Sequence, residues 1–358
     1  MKINPIFIIC VALAGALILA LSAMFTWRPF DDCDFIYLAR TGTPQEIENA
    51  IRVGANASAR NHAGITPLMA AAENNTPEVV SILIERGADV NAAHHGGMTA
   101  LMWAAHWSSE PEVIALLAKN GADLNERNQQ GHTPLMLAAE HNSPEVISAL
   151  AESGADFNIR CWEGMTVLIL AVHWNRSPEI ITALTEGGAD ANASGPQGIT
   201  PLMAAVRNSE NPEIITALID GGADANASDP SGATILMGAA SRSSPEVIAA
   251  LIKNGADVNA RGQNDWTALM FAARHHSNPE AVTALVTNGA YVNAADRYGW
   301  TALMLSAARN SNPEITASLI ANGANINARN SLGQTALSVA RLSGNDPATA
   351  ALIRHGAR

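Results

Sequence analysis

The chain has 358 residues and a formal net charge of −12, from 21 basic and 33 acidic side chains. This acidic balance argues against a non-specific nucleic-acid binder, because binding to phosphates needs a basic surface. Hydrophobic residues make up 48% of the chain and aromatic residues only 4%, so closely stacked small helices are expected rather than a bulky aromatic core. The three cysteines provide no disulfide framework.

The first feature in chain order is an uncharged, apolar run at residues 6–25. About twenty residues of helix cross a hydrocarbon core of ~30 Å. The charge bias around the run is slight and predicts that the following chain is exported. Residues 1–28 are therefore interpreted as an N-terminal apolar helix that anchors the chain in a membrane by a single span. The alternatives are a signal peptide cleaved near residues 20–23, which would release a secreted protein, and a buried helix of the fold.

From residue 64 onward a short motif of the form Gly-Met-Thr-Ala-Leu-Met recurs nine times. Its threonines stand at positions 66, 99, 133, 166, 200, 234, 267, 301 and 335, so the intervals are 33 or 34 residues. A constant period of this length indicates a stacked repeat architecture.

Each repeat predicts two short helices and a loop. In the first full copy Thr66 is a good N-cap and Pro67 suits the first helical position. Small apolar residues at 68–72 give one face at helical spacing. A second helix starts at residues 76–78, and Gly87 ends it, as glycine does where the backbone turns left-handed.

These units resemble ankyrin repeats in their Thr-Pro-Leu and Ala-Ala sequences, in the Gly-Ala-Asp that closes the second helix, and in Asn91 and its copies. The resemblance covers residues 34–358. It implies an all-α fold, a solenoid of stacked antiparallel helix pairs with projecting β-turn loops. The predicted domains are an N-terminal capping half-repeat at 29–62, eight ankyrin repeats at 63–332 and a C-terminal capping repeat at 333–358.

The units also depart from the family pattern. Met69 and its counterparts stand where the family usually has histidine, and the usual Gly-His at the turn between the helices is absent. Asp265 replaces a glycine and Tyr291 an aspartate. The last second helix is expected to start at Pro347 and to be one residue shorter. These departures leave the local hydrogen bonding open, but not the fold.

No catalytic constellation stands out, since the chain has no phosphate loop, no Gly-x-Ser-x-Gly and no cysteine pair at metal spacing. Adjacent histidines, as at 94–95 and 275–276, would point about 100° apart in a helix and rarely share one ion. The aspartates of Gly-Ala-Asp lie one repeat apart, so a repeated loop hydrogen bond is favoured over a calcium site. We therefore predict no enzyme, no metal and no cofactor.

The resemblance implies that a protein partner binds at the loop tips and at a concave face lined by the first helices. The candidate partner-binding residues are those that vary there: Met98, His106, Trp107, His132, His141, Trp162, His173, Trp174, Arg207, Arg242, Trp266, Arg274, His275, Tyr298, Trp300 and Arg309. Exposed tryptophan and arginine are enriched at interface hot spots. Alternatively, the tryptophans of adjacent units stack on each other and seal the groove.

Four of these residues are arginines in consecutive units. One alternative is that they complement the helix C-termini, at about 0.3–1 kcal/mol each. That alternative does not explain why the earlier units carry glutamate and histidine, so we expect a groove with a His/Trp half and an Arg half that favours an acidic segment of the partner. The leading hypothesis is a non-enzymatic interaction scaffold on the exported side of a membrane. The alternative is an envelope accessory protein that binds a small ligand or metal in the His/Trp half.

Overall fold

A computed structural model describes residues 31–108, 110–141, 143–174, 177–208 and 210–358. The apolar run at residues 6–25 lies outside these described residues. Within them the chain forms twenty α-helices, two short 3-10 turns and three isolated β-bridges but no strand. None of the helices in this part of the chain is both long and apolar enough to cross a bilayer. The chain divides into two compact units, which meet in sequence at residues 129 and 130.

The first unit contains three helix pairs. Each pair has a first helix, which follows the repeat threonine in the full repeats, and a second helix. First helices pack on first helices of the neighbouring pair and second helices on second helices, as expected for repeats that bury their apolar faces by stacking. The helices are α1 (Asp32–Thr41), α2 (Pro44–Arg52), α3 (Pro67–Asn74), α4 (Pro77–Glu85), α5 (Ala100–Trp107) and α6 (Pro111–Lys119).

The second unit contains seven helix pairs with the same packing. Their helices are α7 (Pro134–His141), α8 (Pro144–Glu152), α9 (Val167–Trp174), α10 (Pro178–Glu186), α11 (Pro201–Asn208), α12 (Pro212–Asp220), α13 (Ile235–Ala240), α14 (Pro245–Lys253), α15 (Ala268–His275), α16 (Glu280–Thr287), α17 (Ala302–Arg309), α18 (Pro313–Ala321), α19 (Ala336–Leu342) and α20 (Asp346–Arg354).

The repeat threonine caps the first helix, as predicted. The Thr66 hydroxyl accepts a hydrogen bond from the backbone amide of Met69 at 3.2 Å, and Thr301 does the same for Met304 at 3.4 Å. Six of the seven methionines at this position are buried, and Met203 is half-buried. The methionine that replaces the family's histidine therefore packs in the core, where its flexible side chain fills space between helices.

Two rows of polar side chains link successive repeats. In the loop row, Asn91 donates from Nδ2 to the Gly121 carbonyl (2.8 Å) and accepts from the Asp123 amide (2.8 Å). The Asp89 carboxylate accepts from the Asn91 amide at 3.0 Å, so the predicted loop hydrogen bond of Gly-Ala-Asp is confirmed. The second unit repeats the donation to the next repeat's glycine at Asn158, Asn192, Asn226, Asn259 and Asn293.

The second row lies at the turns between the paired helices, where the family's Gly-His is missing. In the first unit Asn75 donates to the carbonyls of Ala39 (2.8 Å) and Gly42 (3.0 Å) in the preceding repeat. In the second unit, side chains at the same turns form hydrogen bonds to backbone carbonyls of the preceding repeat; these side chains are Ser243, His276, Asn310 and Asn345. A polar residue nine or ten positions after the repeat threonine thus replaces the family's turn contact.

The last helix differs from the expectation. It begins at Asp346 rather than Pro347 and has nine residues, like most of the other second helices. The cause is Asn345, whose side-chain oxygen accepts from the Ala348 amide at 3.2 Å and so caps the helix one residue earlier. The final pair presents Arg354 and His355 to solvent, but also Leu342 and Ile353.

Candidate partner-binding surface

In the first unit the candidate residues gather around Trp107, at the end of α5. Its side chain is 51% exposed. The ring of His106 lies edge-on to it at 4.3 Å between centroids, and the ring of Trp103 lies at 4.9 Å. His94, on the preceding loop, meets Trp103 edge-on at 5.9 Å. These four rings form a continuous aromatic cluster in which Trp107 is the exposed member.

Met98 lies next to this cluster in sequence but makes a different contact. It is half-buried, and its sulfur lies 3.5 Å from Nδ2 of Asn128 on the following loop. Met98 therefore packs between loops of the first unit and offers only part of its surface to a partner.

In the second unit, Trp174 ends α9 and is 37% exposed. His132, on the loop of the preceding repeat, contacts it at 5.5 Å between ring centroids, and His173 lies at 6.2 Å. The neighbouring loop thus covers part of Trp174, but with a histidine ring and not with the tryptophan of an adjacent repeat that the sealing alternative expected. Trp162, on a loop tip, is 64% exposed. His141 is exposed at the end of α7, with its Nε2 atom 3.1 Å from the Glu140 carboxylate.

Four arginines lie at the ends of four successive first helices. Arg207, Arg274 and Arg309 are in the last turns of α11, α15 and α17, and Arg242 follows α13. These four helices pack on one another in order. Among the residues that the structure describes, no carboxylate oxygen lies within 4.0 Å of a side-chain nitrogen of any of the four. We call these residues the arginine row.

Arg274 is held by an aromatic platform. Its guanidinium carbon lies 5.3 Å from the ring centroid of Trp266, within the range of a cation–π contact. Trp266 itself meets Phe271 edge-on at 5.2 Å, which explains why it is half-buried and not exposed as expected. Burial lowers the pKa of His275, and the neighbouring charge of Arg274 lowers it further.

At the loop tips near the C-terminal end, Tyr298 is 55% exposed, whereas Trp300 is half-buried. Trp300 is fixed by its backbone, since its amide donates to Asp296 at 2.8 Å and its carbonyl accepts from the Asp296 amide at 2.9 Å. Tyr291 is 69% exposed earlier in the same loop. Sequence reasoning noted Tyr291 only as a departure from the pattern and missed it as a surface aromatic.

A cleft of about 350 Å³ opens between two neighbouring repeats of the second unit. It is lined by apolar side chains of α11 and α13, by Arg207 and Arg242 of the arginine row, and by Gly238. Sequence reasoning named both arginines but not the cleft. The signal was available in the sequence, because Gly238 stands at a position where the other repeats carry a side chain.

The comparisons with known proteins agree with this architecture. A family model described as ankyrin repeats (3 copies) matches residues 35–128, 111–195, 175–262, 202–296 and 269–358. No curated protein matches the chain. Together the family matches extend over residues 35–358, far more than half of the sequence, and the chain therefore belongs to the ankyrin repeat family.

Proposed function

We propose that this protein is an exported, non-enzymatic interaction module that binds an acidic segment of a protein partner along the arginine row. Ankyrin repeats are generally protein–protein interaction modules. The observation that carries the proposal is the set of four arginines at or just after the ends of four consecutive first helices, which have no carboxylate partner among the described residues, on a chain with a net charge of −12. Cations kept unpaired on an acidic protein favour an anionic partner and steer its approach.

The exposed aromatic residues support the same surface. Trp162 and Tyr298, which belong to the same unit as the arginine row, are each more than half exposed on a loop. Large exposed side chains of this kind supply contact area at interface hot spots. A partner that spans several repeats would bury them together with the arginines.

The test is a quantitative capture experiment with the full chain. The chain is cross-linked to its neighbours in the source cells, the bound proteins are identified, and the affinity of a stoichiometric partner is then measured with purified proteins. Replacing Arg309 by glutamate is expected to weaken binding about tenfold, or about 1.4 kcal/mol, because a paired cation becomes a repelling anion. Binding is also expected to weaken as salt is raised, since these side chains are exposed.

Lys253→Glu is the matched control. Lys253 is an exposed cation in the last turn of α14, a second helix, so its reversal changes the net charge and the helix-terminal interaction by the same amount. The affinity of the Lys253→Glu variant for the partner should stay at the wild-type value. The proposal is wrong if no protein is captured in stoichiometric amount, or if both reversals weaken binding equally.

Export is the second part of the proposal and rests on the uncharged run at residues 6–25. Mass analysis of the mature N-terminus tests it. A chain that retains this run and stays with the membrane fraction supports an anchor, and a chain cut near residues 20–23 supports secretion. An intact chain found only in the cytosolic fraction contradicts both.

A further inference from the structure

Gly238 is an unexplained glycine inside α13. It is the fourth residue after the repeat threonine, and the other repeats carry a side chain there: Ala70, Trp103, Leu137, Leu170, Ala204, Phe271, Leu305 and Val339. Glycine in a helix interior is destabilising relative to alanine. Gly238 does not have a positive φ angle, and a Cβ atom built on it would meet no heavy atom within 4 Å. Neither its backbone conformation nor crowding requires glycine.

The missing side chain leaves the cleft open. Ile199, Met203, Val206 and Ile235 line it with apolar atoms, together with Gly238. Its volume of about 350 Å³ is within the range of roughly 300–1,000 Å³ found for ligand pockets. This repeat lacks a side chain that the other repeats have and loses some helix stability, while the space beside the helix stays open. Such a departure from the sequence preferences of a helix interior is expected at functional sites.

The charges around the cleft select the ligand. Arg207 and Arg242 both line it, and both are exposed. One acidic residue, Asp229, lines it too, but its Oδ1 atom accepts from the Ser231 hydroxyl (2.6 Å) and from the amides of Ser231 (2.8 Å) and Ala233 (3.0 Å), and in the described part of the chain it forms no ion pair with either arginine. Two cations therefore remain available at the cleft for a bound carboxylate.

We propose that this cleft is the anchor site of the partner and receives an apolar side chain that is flanked by carboxylates in an acidic peptide segment. The inference rests on the proposed function and deepens it. A peptide fits better than a small anion because the cations continue beyond the cleft, to Arg274 and Arg309 on the next first helices. The apolar side chain fills the space beside Gly238, and the flanking carboxylates pair with Arg207 and Arg242.

The test uses the full chain and three fluorescent peptides measured by anisotropy. The first has one leucine between glutamates, the second has alanine in place of the leucine, and the third has lysines in place of the glutamates. The leucine peptide is expected to bind about tenfold more tightly than the alanine peptide, because it buries more apolar surface. The lysine peptide should show no measurable binding.

Gly238→Leu fills the cleft from inside the helix. This variant should lose the tenfold preference for leucine over alanine while it still distinguishes glutamate from lysine peptides. Its thermal midpoint should not fall, because leucine is the better helix former and meets no atom at Cβ. Replacing Arg207 and Arg242 together by glutamine should have the complementary effect and remove the preference for glutamate.

Three results overturn the inference: equal binding of the leucine and alanine peptides to the wild-type chain, an unchanged preference in Gly238→Leu, or no binding of the leucine peptide up to about 1 mM. Binding of the captured partner to the variants distinguishes failure of the anchor-site inference from failure of the proposed function. If Arg309→Glu weakens the partner but Gly238→Leu does not, the interaction module stands and the anchor site is wrong. If no partner is captured, the proposed function fails, whatever the peptides do.

Discussion

Asp265 holds a left-handed backbone position that glycine holds in the other eight repeats. Its φ angle is 64°, and the glycines at the equivalent positions have φ angles between 72° and 81°. A side chain in this region costs roughly 1–2 kcal/mol, and glycine loses roughly 0.5–1 kcal/mol of chain entropy on folding. Asp265→Gly is therefore expected to raise the free energy of unfolding by about 0.5–1 kcal/mol, as measured by urea denaturation.

Gly333→Asp is the matched reverse change. Gly333 has a φ angle of 72°, and a Cβ atom there would meet nothing within 4 Å, so the substitution reports the backbone conformation alone. It should lower the free energy of unfolding by about 1 kcal/mol. A loss of stability in Asp265→Gly would show instead that the carboxylate makes a favourable contribution of its own.

At the same scale, the sequence predicted which residues vary but not how far each is exposed. Trp107, Trp162 and Trp174 are exposed as expected, whereas Trp266 and Trp300 are half-buried. Exposure at these positions depends on which neighbour packs against the ring, such as Phe271 on Trp266. A periodic pattern identifies the position in the repeat, but it does not contain that pairing.

At the scale of the elements, helix positions followed from the sequence because each helix carries its own start signal. The repeat threonine, just before each first helix of the full repeats, and the proline at the first position of most second helices mark the starts within a few residues. The contacts between repeats did not follow, because each joins residues about one repeat apart. The row at the inter-helix turns is the clearest example, since asparagine, serine and histidine share that role.

Asn310 tests that row. It is buried, and its Nδ2 donates to the carbonyls of Ala273 and His276 at 3.0 Å each. Asn310→Ala leaves both acceptors buried without this donor, so the free energy of unfolding should fall by about 2–3 kcal/mol. Urea denaturation measures the change.

Asn288→Ala is the control for that variant. Asn288 is exposed, and its Nδ2 donates to the Ala284 carbonyl within its own helix. Its removal should cost much less than that of Asn310. Equal losses in the two variants would mean that the turn row does not couple neighbouring repeats.

At the scale of the whole molecule, hydrogen-bonded carboxylates at helix starts recur in both units. The hydroxyls of Thr76, Ser143 and Ser177 lower the pKa values of Glu78, Glu145 and Glu179, and the Thr43 backbone amide does so for Glu46. A lowered folded-state pKa stabilises the fold above the unfolded-state value of 4.5. That contribution is lost as the pH falls through the folded-state pKa values.

Acid should therefore destabilise this protein, even though protonation also relieves the repulsion of its net negative charge. We expect the urea midpoint to fall between about pH 6 and about pH 3. Replacing Glu46, Glu78, Glu145 and Glu179 together by glutamine separates the two effects, because it removes the helix-start contribution and leaves most of the other carboxylates to titrate. The variant should be less stable than the wild type at about pH 6, and the two should converge at about pH 3. A constant difference between them at both pH values would show that these carboxylates do not control acid unfolding.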